Sequence, residues 1–226
     1  MKQLGSFSRL AGVAALCALV ANLSLAAAET GKAEITGIKG SVTVDGQAVK
    51  VGDAIKPGQQ ISTGAASKLD LFLGENGPTL VVDANASVTF DELSFDKSGA
   101  EPVITTKINV KAGKVAGYVK KTSSQSKYVI QTPTTTAAIR GTKYQVTEDG
   151  TVAVWEGSVS VTYRGNTYEV SEGQKFDPSI GAVVANDLPN PLPSQVSSTA
   201  TSALGGTVLI TPTRPNPGAS EIQPGQ

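Results

Sequence analysis

The residues most capable of chemistry in this chain are few, and their spacing limits what they could do. Ser124 and Lys127 stand at the Ser-x-x-Lys interval used by hydrolases whose lysine takes the serine proton. That chemistry places the pair on a helical turn with further motifs nearby. The flanking Lys120-Lys121-Thr122-Ser123 reads instead as a polar loop between strands, so a hydrolase is kept only as a minor alternative. Asp91, Glu92 and Asp96, or Asp83 with Asn85, could offer oxygens to calcium. No Asp-x-Asp-x-Asp-Gly loop organises them, and a solvated acidic edge is the simpler reading. Asn85-Ala86-Ser87 fits the glycosylation pattern, but modification is not expected. Trp155, Tyr163 and Tyr168 could present a flat surface to a sugar, although aromatics at alternating strand positions more often pack into a core.

The residues that are missing exclude more. The 226 residues include no histidine and one cysteine, Cys17. Without histidine the usual general base, metal ligand and near-neutral pH switch are gone. Serine–histidine and cysteine–histidine catalysis cannot be assembled. The 19 basic and 19 acidic side chains balance, so nothing draws the chain to a phosphate backbone and nucleic acid is a poor partner. No enzyme activity, cofactor or metal is expected.

The elements that must position these residues follow from the hydropathy pattern. Lys2 and Arg9 flank a polar start, an apolar run extends from Leu10 to Ala28, and Ala26-Ala27-Ala28 gives a small-residue end before Glu29 and Thr30. Residues 1–28 therefore read as a secretory signal peptide, leaving no stable membrane span once cleaved and placing the protein in the periplasm or outside the cell. Cleavage also removes Cys17, which excludes a disulfide framework and thiolate metal sites. About 200 mature residues can form one core of useful size or two small ones.

From Lys32 to Phe176 the chain reads as short strands. Leu69, Leu71 and Leu73 alternate with Asp70 and Phe72 at period two. Val42-Thr43-Val44, Leu80-Val81-Val82, Val88-Thr89-Phe90, Ile104 to Val110, Tyr128-Val129-Ile130, Thr151 to Trp155 and Ser158 to Tyr163 continue the pattern. Gly40-Ser41-Val42-Thr43-Val44 is echoed by Gly157-Ser158-Val159-Ser160-Val161, and more faintly by Gly113 to Gly117. Such recurring strand–turn–strand units suit stacked coils or a roll, though Gly-x-Val-x-Val is also simply common in β-proteins. The fold expected over residues 32–176 is all-β, a roll or solenoid-like body of two packed sheets, with an immunoglobulin-like sandwich as the alternative. Past Asp177 the run Pro189-Asn190-Pro191-Leu192-Pro193 and the Pro/Ser/Thr-rich remainder predict a flexible tail over 177–226, with Val208-Leu209-Ile210 as one segment able to dock back as a strand.

One stretch carries a resemblance. Thr132-Pro133 is followed by Thr136-Ala137-Ala138-Ile139-Arg140-Gly141-Thr142, Tyr144-x-Val146, Val152-x-Val154, Glu156-Gly157-x-Val159 and Gly173-Gln174. Upstream, Val51-Gly52-Asp53-Ala54-Ile55, Gly58, Ile61-Ser62-Thr63-Gly64, Ser67 and Leu69 to Leu73 look like the opening of the same domain. The order resembles the FecR domain family from about Gly40 to Phe176. The best-known members of that family relay iron-siderophore signals: a periplasmic part contacts an outer-membrane receptor, and a cytoplasmic helical segment controls a sigma factor. Only nine residues precede the apolar run here, so sigma-factor control is not expected to transfer. The small α/β domain that can follow the FecR region likewise has no counterpart. What the resemblance implies is a stand-alone, non-catalytic binding module of the cell envelope, its partner an envelope protein such as an outer-membrane component. A carbohydrate- or peptidoglycan-binding role is the alternative.

Thr132, Pro133, Arg140, Gly141 and Thr142 are the candidate binding residues. Pro133 predicts an extended entry or turn, and Gly141 allows positive φ or close backbone approach directly after Arg140. Arg140 offers a planar fork of donors. Its commoner role would be to satisfy carbonyls at a turn, with Thr142 bonding nearby backbone, and its functional role would be to anchor an acidic partner.

Overall fold

The computed structural model describes residues 28–121 and 123–192. Residues 1–27 of the expected signal peptide 1–28, and residues 193–226 of the expected tail 177–226 with Val208-Leu209-Ile210, lie outside the described residues. Among the described residues, no helix is long and apolar enough to cross a membrane. The described chain is built from seventeen strands and one short 3-10 turn.

The alternation seen in the sequence becomes burial directly. In β7 (Lys68–Phe72) Leu69 and Leu71 are buried while Lys68, Asp70 and Phe72 face outward, as period-two geometry requires. The same inward–outward rhythm holds in β2 (Ala33–Lys39), β3 (Val42–Val44), β6 (Gln60–Thr63) and β10 (Val103–Ala112). Very short strands β1 (Glu29–Thr30), β4 (Gln47–Ala48) and β5 (Ala54–Ile55) fill the first third, followed by β8 (Thr79–Val82) and β9 (Ser87–Asp96). The second half contains β11 (Lys114–Tyr118), β12 (Lys127–Gln131), β13 (Thr135–Thr147), β14 (Val152–Tyr163), β15 (Asn166–Ser171), β16 (Gln174–Asp177) and β17 (Ala182–Ala185). The two echoing segments of the sequence occupy equivalent hairpins. β3–β4 turns through Asp45-Gly46 and β14–β15 through Arg164-Gly165, each with both central residues at positive φ, the primed turn that matches strand twist.

Ladders join all seventeen strands into one continuous sheet that curls around a single core. The backbone of the sheet runs β9–β10–β12–β13–β11–β8–β7–β2, with β6 and β3 continuing from the other edge of β9. Nearly every pair is antiparallel, but β10 and β12 run parallel. The chain passes between them through β11, which lies elsewhere in the sheet, between β8 and β13. A coil-like step of this kind brings both walls of the body onto one core containing Leu71, Leu80, Phe90, Ile108, Val146 and Val161.

The ordered body continues past the composition break at Asp177. β17 pairs with β16, Asn186 N–H donates to the Gly173 carbonyl, and Leu192 is buried on the outer side of β8 and β11 against Val81 and Ala116. The proline-rich run here forms a strap, because Asn186 and Asn190 side chains accept the backbone N–H groups of Leu188 and Leu192 that the irregular path leaves free.

Inside the core, the hydroxyls of Tyr128 and Tyr144 meet at 3.0 Å with the rings edge to face. Burial holds both phenols above the ordinary tyrosine value, and at Tyr144 the neighbouring Tyr128 adds to the effect. A folded-state value raised above the unfolded one contributes stability that is complete below about pH 10 and is lost as pH rises beyond it. Tyrosinate absorbance from this pair should therefore appear only together with alkaline unfolding, and Tyr128→Phe should remove part of that late step. Ionisation of the pair in a chain whose circular dichroism is still native would contradict this.

Candidate functional site

The long hairpin of β13 and β14 decides where the candidate residues stand. Pairing is regular from Thr135↔Tyr163 to Arg140↔Ser158 and resumes at Lys143↔Glu156. Gly141 and Thr142 thus face the single residue Gly157, a bulge, and Trp155 is the extra residue of a second bulge directly after it. At the first bulge the two backbones cross so closely that a Cβ on Gly157 would stand 2.3 Å from the Gly141 carbonyl oxygen. Both glycines take positive φ, 63° and 82°. Thr142, fully buried, lies with its hydroxyl 2.7 Å from the Ser158 carbonyl and 3.1 Å from that of Arg140, which ties the crossing together.

The bend redirects the strand. Before it, β13 pairs with β12; after it, β13 pairs with β11. Val119 and Thr142 exchange both backbone hydrogen bonds at 3.0 Å, which pins the segment leaving β11 to the bend and sets Lys121 directly against Gly141. Thr132 and Pro133 stand in the turn before β13, whose first half from Thr135 to Arg140 spans about 17 Å at the rise of a strand. Thr132 accepts the backbone N–H groups of Thr134 and Thr135 on its hydroxyl, and its own N–H donates to the Thr135 carbonyl at 2.9 Å. Pro133 is exposed at the tip of this hairpin. The structure therefore groups Arg140, Gly141 and Thr142 and leaves Thr132 and Pro133 apart as a turn.

Arg140 does not fill the carbonyl-satisfying role. Its side chain is exposed and makes no hydrogen bond or ion pair with the described residues; Thr142 does the bonding at the bend instead. Arg140 opens onto a cleft of about 950 Å³ at one end of the body. Its walls are the loop between β7 and β8, the tip of the β9–β10 hairpin, and the segment following β11. Phe72, Pro78, Pro102 and Ile104 supply apolar surface, with Lys120, Lys121, Glu75 and Glu101 at the rim. Glu75 is neutralised by Lys97 at 2.8 Å.

Asn76, which the sequence reading passed over, holds one wall of this cleft in place. It is fully buried in the 3-10 turn Gly74–Asn76, and its side-chain amide nitrogen faces the Ser94 carbonyl, the Thr105 carbonyl and the Thr106 hydroxyl at 2.7–3.1 Å. Three acceptors around one nitrogen fix the amide's orientation. The β7–β8 loop is thereby anchored to β9 and β10, so Phe72 stands on a fixed base although 41% exposed. In sequence, Gly74-Glu75-Asn76-Gly77 shows only turn composition.

The other candidates form no site of their own. Ser124, in the loop between β11 and β12, lines the cleft, whereas Lys127 opens β12 and does not; both are exposed. Tyr163 and Tyr168 pack on buried Phe176 at 5.3 and 4.9 Å. Asp83 pairs with Lys114 at 3.0 Å, and Asn85 occupies a positive-φ turn position.

Residues 59–160 match the model of the FecR protein family, a stretch that runs from β6 through most of β14 and includes the bend and the cleft. Two crystal structures of a candidate anti-sigma factor from Parabacteroides distasonis are similar to this chain at 13% identity, with TM-scores of 0.44 and 0.43. Each match covers 56% of this chain and 58% of the other, so it spans little more than half of that protein's length. No curated protein matches the sequence significantly.

Asn76→Asp should destabilise the fold by about 3 kcal/mol or more, because a buried carboxylate oxygen would face the Ser94 and Thr105 carbonyls, which can only accept. Arg140→Ala should change stability by no more than about 0.5 kcal/mol. Urea unfolding of the two variants beside the parent chain checks both, and a large loss at Arg140 would restore its carbonyl-bonding role.

Proposed function

We propose that this chain is a non-catalytic recognition module that works outside the cytoplasm and presents its cleft to a protein of the bacterial envelope, such as an outer-membrane component. The observation that carries the reading is the cleft beside Arg140: concave, partly apolar, and built on strands and anchored loops. Pockets with an apolar lining and a few placed polar groups are the usual form of a binding site. The absence of histidine from the sequence supports recognition over proton-transfer catalysis, and the export signal read at residues 1–28 supports an extracytoplasmic location. The match to the FecR family supports a signalling context, in which occupancy of the module reports an event at the envelope.

Two of the three aromatic residues that could have stacked on a sugar, Tyr163 and Tyr168, are committed to Phe176, which favours a protein partner over a glycan. Immobilised protein should retain one discrete protein from an envelope extract, and Phe72→Ser should lose it while keeping the parent's melting temperature. Recovery of glycan alone, or capture indifferent to Phe72, would overturn the reading.

A further inference from the structure

We infer that the cleft takes an acidic, extended segment of its protein partner, with carboxylates on the Lys120–Lys121–Arg140 wall and an apolar side chain on Phe72. This rests on the recognition reading above and names the ligand class of the same site.

Three like charges are held together there by fold geometry. Lys120 and Lys121 follow β11 directly, and Arg140 ends the first half of β13, two segments locked side by side by the paired Val119–Thr142 hydrogen bonds. All three are exposed, and among the described residues none has an ion pair or a side-chain hydrogen bond. Their grouping is what sets them apart: Lys68, Lys97, Lys114 and Lys175 have the counter-ions Asp70, Glu75, Asp83 and Asp187, and other cations such as Lys39, Lys50 and Lys107 have no ion pair among the described residues. Grouping uncompensated cations costs self-repulsion in the free protein, and an anionic partner relieves it while speeding encounter.

The rest of the cleft narrows the class of anion. Phe72, Pro78, Pro102 and Ile104 line the space beside the basic wall, and Phe72 is one of the large exposed hydrophobic residues of the body. A bare phosphate or a polyanion would leave that surface uncovered. Glu101 also lines the cleft, without a counter-ion among the described residues. It repels a continuous anionic surface such as a lipid bilayer or a nucleic acid, whereas a peptide that alternates carboxylates with apolar side chains can present each to its own wall. The zero net charge of the chain likewise offers no general attraction to polyanions.

The test is fluorescence anisotropy on the full exported chain with a short labelled peptide of Asp, Glu and Phe. A matched peptide of Asn, Gln and Phe is the control, and phosphatidylglycerol vesicles serve as competitor. Saturable binding of the acidic peptide is expected, weakening as salt rises. Arg140→Gln and Lys121→Gln should each weaken it about tenfold at unchanged melting temperature. Phe72→Ser should weaken it without altering the salt dependence. Equal binding of the amide control, displacement by the vesicles, or no saturable binding would overturn the inference. If an envelope protein were still captured through Phe72 by an Arg140→Gln chain at full strength, recognition would stand and the acidic ligand class would fall.

Discussion

One steric constraint organises this molecule: the crossing of β13 and β14, where the Gly157 Cα packs against the Gly141 carbonyl with no room for a side chain. A straight hairpin of this length would keep β13 beside one neighbour throughout. The bend instead hands β13 from β12 to β11, and β11 in turn carries β8 and β7. Half the wall of the core therefore reaches the other half through this crossing. The conspicuous motif of the sequence, Ile139-Arg140-Gly141-Thr142, is a fold-making device first, and three of its members divide the work: Gly141 turns, Thr142 bonds, and Ile139 is buried.

That division explains why Arg140 is free to face a partner. Thr142 bonds at the bend to the Ser158 and Arg140 carbonyls, and the exposed arginine side chain lines the cleft. The same crossing fixes Lys121 against Gly141, so the geometry that closes the sheet also gathers the basic wall. On the facing side, one buried amide at Asn76 holds the β7–β8 loop to two strands. Stability and presentation are thus separable here: buried polar residues hold the cleft's shape, and exposed ones face whatever enters it.

The legible part of this architecture was the part set by period two. Leu69, Leu71 and Leu73 predicted their own burial, and the Gly-Ser-Val-x-Val echo marked two hairpins that share a turn type. The family signature was readable, and residues 59–160 carry it. What could not be read depends on contacts between segments distant in sequence. Asn76 looks like any turn asparagine until Ser94 and Thr105 are brought around it. Lys120 and Lys121 look like loop charges until Thr142 pairs with Val119. Pro189 to Leu192 lacks the composition of a core, yet Leu192 finds a small apolar seat on Val81 and Ala116 that no local pattern announces. Arg140 allows two roles by its type, bonding carbonyls at a turn or facing an acidic partner, and nothing local to it separates them.

The central claim is most directly tested by comparing the unfolding free energies of Gly157→Ala and Gly165→Ala. Both glycines sit at nearly the same positive φ, 82° and 81°, but Gly165 has open space where a Cβ would go. Gly165→Ala should cost about 1 kcal/mol, the strain of the backbone conformation alone. Gly157→Ala should cost at least about 2 kcal/mol more, because the strands must part to admit the methyl group. Equal losses at the two positions would mean that the close crossing does not hold the sheet in its bent path.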